Sequence, residues 1–152
     1  MYQTIMQSIF ITTIAIMIIG LVAPAFASPT GKAHPQPSKF VIPIDKASDA
    51  RQDLTVSHLE TLLQHQHMRA SDIVLVAYAK GIYLLEKGNH FQARVQALID
   101  KGVQCYACET TRTKIETQLA SRLNLLDGVK GTVNGQQYVE ALMEQGYVNS
   151  FA

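Results

Sequence analysis

The sequence predicts an α/β protein, a three-layer α/β/α sandwich on a mostly parallel sheet of about five strands. Residues 73–78 form a continuous apolar run, which is typical of a strand covered on both faces. Short apolar runs alternate along the chain with segments whose apolar residues recur at helical spacing. Such repeated alternation favours parallel strands joined by helices.

The composition excludes several classes of protein. The 152-residue chain is 47% hydrophobic, too apolar for a disordered protein, and 2 cysteines cannot staple a disulfide-dense scaffold. Its 13 Lys and Arg offset 12 Asp and Glu, for a net charge of +1, without clustering into a basic stripe. We therefore expect no nucleic-acid partner.

Residues 1–27 are predicted to be a signal peptide. The apolar run at 9–23 is about 15 residues long, roughly 22 Å as a helix, and so is short for a ~30 Å hydrocarbon core. Pro24 ends the run, and Ala25-Phe26-Ala27 gives the small-x-small pattern of a cleavage site. Because no Lys or Arg precedes the run, an uncleaved anchor is the alternative. Cleavage near Ala27 predicts an extracytoplasmic protein, in the periplasm, that contacts the membrane only through this segment.

The mature chain is predicted to begin with a flexible leader, residues 28–38, because this stretch is rich in proline and has no large apolar residue. The predicted domain then spans 39–152, enough for one small α/β core.

The elements of this domain are predicted in order from the two periodicities. The apolar run at Phe40–Ile44 contains a proline, which suits a strand start or an edge strand. Further strands are predicted at 73–78, 103–107, 128–133 and 147–151. Between them lie a short helical piece at 82–85 and four apolar helical stripes: Val56, Leu59 and Leu63; Phe91, Val95, Leu98 and Ile99; Ile115, Leu119 and Leu123; Tyr138, Val139, Leu142 and Met143. Gly102 and Gly146 are placed to end helices, and Asn134 to cap one.

Candidate site residues follow the strands, because ligands of open parallel sheets bind beyond the carboxyl ends. Cys108 is the catalytic candidate, and the binding candidates are Lys80, Gly81, Glu109, Thr110 and Asn134. Asp45, Tyr78, Ala79, Thr111 and Gly135 lie at the same strand ends.

Cys108 is predicted to leave a strand and enter a helix, where unpaired N–H groups and the helix dipole favour the thiolate. Lys80 would add positive charge, and Arg112 would help if its side chain turned back. Glu109 would raise the thiol pKa if it lay close. The alternative is that Cys108 is a small buried hydrophobic residue.

Cys105 and Cys108 form a C-x-x-C pair, which suggests a redox motif in an exported protein. On extended backbone, however, their Cα atoms would be about 10 Å apart and their side chains on opposite faces. We therefore favour Cys105 as a core residue.

The histidines are expected at the surface, since His58 and His65 lie about 10 Å apart on a helix, too far for one metal. No nucleotide-binding, hydrolase or zincin motif occurs, so neither a metal nor a cofactor is expected.

Several short segments from Ala77 onward carry a family resemblance. The most specific runs from 102 to 111, with Gly-Val, a strand, Ala-Cys-Glu and a threonine; the others lie at 79–85, 125–129, 134–135 and 144–147. In order and spacing they resemble exported members of the DsrE/DsrF-like (sulfur-relay) family. Thr110 stands where the family usually has Asn, and Val133-Asn134 where it usually has Pro-Ser.

The resemblance implies a small α/β sandwich that assembles into trimers or hexamers, with a cysteine at the position of Cys108 carrying sulfur as a persulfide. A sulfur donor and an acceptor protein are the implied partners. The sequence leaves open a second class, a non-catalytic binding or assembly module, and a less favoured thiol–disulfide protein using C-x-x-C.

The closing helix also points to a homo-oligomer. Its apolar band, together with Phe151, is wider than is needed to cover one face of the sheet. Small cores also gain stability when they bury surface between subunits. The alternative is that these residues all pack within one subunit.

Overall fold

The computed structural model describes residues 39–64 and 68–151, which belong to one compact unit of the chain. The predicted signal peptide and leader lie outside these residues. No helix of the two described ranges is long and apolar enough to cross a bilayer.

One sheet of five strands, all paired in parallel, organises the described residues. The strands are β1 (Phe40–Ile44), β2 (Ile73–Ala77), β3 (Gln104–Cys108), β4 (Lys130–Thr132) and β5 (Val148–Asn149). Their order across the sheet is β4-β3-β2-β1-β5. Every residue of the central strand β2 is buried, as its unbroken apolar run predicts.

Four α-helices and two 3₁₀ helices connect these strands. The α-helices are α1 (Asp49–Gln64), α2 (Gln92–Asp100), α3 (Glu109–Leu119) and α4 (Gly135–Glu144). The 3₁₀ helices are Ala70–Asp72 and Ala79–Leu85, the second of which includes the short helical piece predicted at 82–85.

The helices lie on both faces of the sheet. From β1 to β4 each strand is added towards the same edge, so right-handed crossovers place α1, α2 and α3 on one face, the three-helix face. The chain then returns from β4 to β5 at the opposite edge, which places α4 on the other face, the α4 face. The predicted three-layer α/β/α sandwich with a parallel sheet is thereby confirmed.

The two faces are unequally covered. The three-helix face holds the larger core, where Ile42, Leu75 and Cys105 of the sheet pack with helix residues such as Leu59 and Val95. On the α4 face the fully packed residues are few: Val41, Val74, Val76, Val139 and Leu142. Partly buried tyrosines surround them: Tyr78, Tyr106, Tyr138 and Tyr147.

Three predicted elements are clearly longer than the observed ones, and the last strand, predicted at 147–151, is only Val148–Asn149. Helix α3 ends at Leu119, since Ala120 is left-handed with φ 50°, so the stripe predicted to reach Leu123 is interrupted. Leu119 is 55% exposed, whereas Leu123 is buried beyond the helix end. Strand β4 stops at Thr132, and Val133, predicted inside it, is 80% exposed because the chain there turns towards α4.

Candidate functional site

The candidate site lies at the carboxyl ends of β2, β3 and β4, where the three connections to the following helices begin. Cys108 is the last residue of β3 and the N-cap of α3. Its register partner on β4 is Thr132, so the connection from β4 to α4 passes directly beside it.

Alternation along β3 determines which face each cysteine occupies. Cys105 and Ala107 point to the three-helix face, and Tyr106 packs on the α4 face. Because side chains of a strand alternate, Cys108 also points to the α4 face, towards the start of α4. Only 5% of Cys108 is exposed.

A glycine allows the start of α4 to approach Cys108 closely. A Cβ at Gly135 would lie 2.9 Å from the Tyr78 Cβ, which is too short for a side chain, and 3.2 Å from the Cys108 Cβ, which is a tight contact. The preceding Asn134 caps α4, since its Oδ1 accepts hydrogen bonds from the N–H groups of Gln136 and Gln137 at 3.1 and 3.3 Å. The cap and the glycine together fix the N-terminus of α4 beside the thiol.

The Cys108 thiol is therefore close to backbone N–H groups of two helices. In the neutral form it donates to the Val133 carbonyl, with Sγ 3.8 Å from the oxygen, rather than capping α3. Burial by itself would raise the thiol pKa, but the Thr111 hydroxyl and the N–H groups of Thr111, Gly135 and Thr110 favour the thiolate more strongly. The pKa of Cys108 consequently lies below its ordinary value.

The aromatic neighbour of the site stays uncharged. Burial and the Asp45 carboxylate raise the pKa of Tyr78, against a smaller opposing effect of Arg51. Tyr78 therefore presents a neutral hydroxyl and an apolar ring, placed against Gly135.

Two of the predicted binding residues lie at this site. Thr110 donates from its hydroxyl to the Val133 carbonyl at 2.7 Å, and Asn134 caps α4. Both shape the backbone around the thiol.

The other three predicted binding residues have different positions. Lys80 is exposed in the second 3₁₀ helix, and no ion pair or hydrogen bond of the described chain joins it to Cys108. Gly81 is buried with its Cα against the Ile44 carbonyl, where no side chain would fit. Glu109 lies over Gly131 and pairs with Arg112 at 3.3 Å, so Arg112 is turned to carboxylates rather than to the thiol.

The C-x-x-C pair is split between the two faces of the sheet. Both cysteines are free thiols, and Cys105 is 1% exposed within the core of the three-helix face. Burial raises the pKa of Cys105 to about 12, so it is protonated at neutral pH. The interpretation of Cys105 as a core residue is confirmed, and a disulfide between the two positions would require β3 to come apart.

One histidine differs from the surface position expected of it. His58 is half-buried, its ring lies 5.1 Å from that of Phe151, and its Nε2 is buried without a hydrogen-bond partner. Phe151, placed among the residues of an assembly surface, instead packs within the chain, with Arg51 4.3 Å from its ring centre. Within residues 39–64 and 68–151, no group of three His, Cys, Asp or Glu is arranged to hold a metal ion.

Three contributors are absent from the predicted catalytic and binding residues: Thr111 and Gly135, which the sequence places at the strand ends without a role, and Val133, which it places inside a strand. Thr111 supplies a hydroxyl, Gly135 permits the close approach of α4, and Val133 offers the carbonyl that the thiol contacts. Two sequence signals point to two of them: Gly135 directly follows the capping residue Asn134, and Thr111 stands three residues after Cys108.

These features define the class of the protein: a small parallel α/β sandwich with a buried cysteine of lowered thiol pKa at a strand-to-helix junction. No family model matches the chain, and no curated protein matches it. Among solved structures the chain is similar to a protein of unknown function from Methanobacterium thermoautotrophicum, with a TM-score of 0.63 and 24% sequence identity. The similarity covers 73% of this chain and 96% of that one, and it shows the fold alone.

Proposed function

We propose that this protein is an exported, periplasmic sulfur carrier of the DsrE/DsrF-like type, in which Cys108 holds sulfur as a persulfide. The observation that carries the proposal is the position of Cys108, between the N-termini of α3 and α4 with a lowered thiol pKa. The resemblance of residues 102–111 to the sulfur-relay family supports the same assignment.

The chemistry follows from the thiolate. The Cys108 thiolate attacks the outer sulfur of a sulfane donor such as a persulfide, forming a new S–S bond while the donor's inner sulfur leaves as a thiolate. An acceptor thiolate then attacks the outer sulfur of the Cys108 persulfide and releases the Cys108 thiolate again. No net oxidant is needed, since each step exchanges one S–S bond for another.

The surroundings of Cys108 suit an anionic sulfur chain. N–H groups at helix N-termini stabilise a negative charge without supplying a proton to it. Thr110 and Ala79 are exposed beside the thiol, and so is the side chain of Val133, so the outer sulfur of a persulfide would emerge near the surface. The donor, the acceptor or both would approach this edge of the sheet.

Mass spectrometry tests the sulfur-carrier proposal. Protein spanning residues 28–152 is exposed to a polysulfide donor, and we expect an adduct of about 32 Da on Cys108. Cys105→Ala should keep the adduct and Cys108→Ser should lose it. Failure of the folded protein to gain sulfur on Cys108 would overturn the proposal.

The second candidate function is a non-catalytic binding or assembly module. The exposure of Cys108, only 5%, favours it, because such a thiol also fills space between β3, Tyr78 and α4. Native protein whose Cys108 resists a small alkylating reagent, while the unfolded chain reacts, would favour the module over the sulfur carrier. A thiol–disulfide function ranks last because Cys105 and Cys108 lie on opposite faces.

We also propose that the chain forms a homo-oligomer, a trimer or hexamer, through the α4 face. This face carries one helix, α4, on which Met143 is 46% exposed. Light scattering of residues 28–152 at micromolar concentration tests it. A mass several times that of one chain is expected, and a monomer mass would overturn it.

A further inference from the structure

Thr111 uses its hydroxyl differently from three other helical threonines. Thr55, Thr61 and Thr117 each donate to the carbonyl four residues earlier, at 2.8 to 2.9 Å, the ordinary arrangement inside a helix. The Thr111 Oγ1 instead accepts a hydrogen bond from the backbone N–H of Ala79, at 3.2 Å. This contact joins α3 to the connection that follows β2.

The Thr111 hydroxyl belongs to a row of polar groups that crosses three strand ends. Thr111 is the third residue of α3, so its side chain and N–H lie beside the N-cap residue Cys108. The Cys108 thiol points in turn to the Val133 carbonyl, with 3.8 Å between sulfur and oxygen. Three neighbouring groups therefore lie along these strand ends: the Ala79 N–H bonds the Thr111 hydroxyl, Thr111 stands three residues after the N-cap residue Cys108, and the Cys108 sulfur contacts the Val133 carbonyl.

We propose that Thr111 is a positioning residue for Cys108: the Ala79 N–H occupies an Oγ1 lone pair, and the Thr111 hydroxyl proton is thereby directed to the Cys108 sulfur. A hydroxyl has one proton to donate, and that proton points away from the group that already donates a hydrogen bond to the hydroxyl oxygen. The proposal deepens the sulfur-carrier function and rests on it for its biological meaning. The lowered pKa of Cys108 agrees with it, because the Thr111 hydroxyl is one of the groups that favour the thiolate.

Ionisation of Cys108 leaves no buried acceptor unpaired. A thiolate can no longer donate to the Val133 carbonyl, but that oxygen keeps the Thr110 hydroxyl at 2.7 Å and the Thr110 N–H at 3.3 Å. The thiolate meanwhile accepts from Thr111. The row thus accommodates both protonation states with small movements of hydrogen atoms.

The donor that orients Thr111 comes from a strained residue. Ala79 has φ 46°, in the left-handed region that residues with a Cβ rarely adopt. Two residues later, the tight contact of Gly81 with the Ile44 carbonyl ties this segment to the end of β1. The sheet therefore holds the Ala79 N–H in a direction that the local backbone does not prefer, and that direction is towards Thr111.

The test is the pH dependence of alkylation of Cys108, measured with iodoacetamide in a Cys105→Ala background. Thr111→Val keeps the shape of the side chain and removes the hydroxyl. A hydrogen bond to a charged group lost in this way should raise the thiol pKa by about one unit, a roughly tenfold smaller thiolate fraction near neutral pH. Thr111→Ser retains the hydroxyl and should stay near the parent value.

Thr117→Val is the matched control, since it removes a hydroxyl from the same helix two turns away, where the hydroxyl bonds the Thr113 carbonyl. It should leave the thiol pKa unchanged. An unchanged pKa in Thr111→Val, or an equal rise in Thr111→Ser or Thr117→Val, would overturn the proposal. If Thr111→Val does not fold, as judged by circular dichroism, Thr111→Ala against Thr111→Ser decides the question by the same criterion.

The alkylation readout is separate from sulfur transfer. A raised thiol pKa in Thr111→Val, together with no persulfide on the parent protein, would support the role of Thr111 and overturn the sulfur-carrier function. A persulfide on Cys108 with an unchanged thiol pKa in Thr111→Val would support the sulfur-carrier function and overturn the role of Thr111.

Discussion

The two cysteines of β3 lie on opposite faces of the sheet, so they allow the two faces to be compared within one strand. Cys105 and Cys108 are 1% and 5% exposed, so water is nearly absent from both. Burial raises the pKa of Cys105 to about 12, whereas the pKa of Cys108 is lowered despite burial. The difference has two causes: Cys105 lies deep among aliphatic side chains, whereas Cys108 lies at the end of the strand, where backbone N–H groups of two helix N-termini and a hydroxyl favour its thiolate. At a thiol with little exposed area, therefore, the depth of burial and the local hydrogen-bond donors together decide the charge.

The largest effect expected from this comparison is in thiol reactivity. With a thiol pKa of about 12 at Cys105 and one below the ordinary value of 9.0 at Cys108, native Cys108 should react with iodoacetamide at least about tenfold faster than Cys105, because its larger thiolate fraction outweighs the lower nucleophilicity of a more acidic thiol. Mass spectrometry of peptides after timed quenching measures both rates. In urea the two rates should become similar, and similar rates in the native protein would break the comparison.

Serine substitutions at Cys105 and Cys108 test the same comparison through the free energy of unfolding. Cys105→Ser places a hydroxyl in an apolar core and should lower the free energy of unfolding by about 1–3 kcal/mol. Cys108→Ser places serine at an N-cap, where it is favoured, and should change stability by less than about 1 kcal/mol in either direction. Urea denaturation followed by circular dichroism measures both. Equal losses would show that the two environments do not differ as described.

The smallest effect concerns His58, a half-buried residue of α1 whose Nε2 is buried without a hydrogen-bond partner. Burial lowers the pKa of His58 from 6.5, so the folded protein favours the neutral ring. Above pH 6.5 this group contributes no pH dependence, and as the pH falls below that value the unfolded chain binds the proton first and stability declines.

His58→Phe should remove this part of the decline between pH 7 and 5.5 while keeping the contact with Phe151. Urea midpoints at the two pH values provide the measurement. His90→Gln is the control, because it removes an exposed histidine that makes no contact with Phe151. A slope unchanged in His58→Phe would contradict the assignment of the pH dependence to this residue.

Much of the fold was predictable because it depends on local periodicity. The apolar run of β2, the bounds of β1 and the Asn134 cap are predicted correctly from neighbouring residues, but β1 lies between β2 and β5 rather than at an edge, and Pro43 is its fourth residue. The end of α3 was not, because Leu119 fits the helical stripe but the chain turns at Ala120 to bring Leu123 into the core. Such a turn is decided by packing, which periodicity does not record.

The candidate site was predicted in position but not in composition. Cys108 was identified because a strand end followed by a helix start is a local pattern. Lys80, chosen for its charge, makes no described contact with the thiol, and Gly81 serves the packing of the chain. Thr111 was present in the same short segment, but its role depends on Ala79, which is 32 residues away along the chain.

The sequence by itself determined the class of fold and the junction at which Cys108 stands, since both follow from residues a few positions apart. The tertiary structure alone decided which groups meet there. The order β4-β3-β2 brings Ala79, Cys108, Val133 and Gly135 to one edge, although about 25 to 30 residues separate each connection from the next. The physical reason is that dipoles and hydrogen bonds act over a few ångströms in space, so the acidity of the thiol depends on strand order and close packing rather than on its neighbours in the chain.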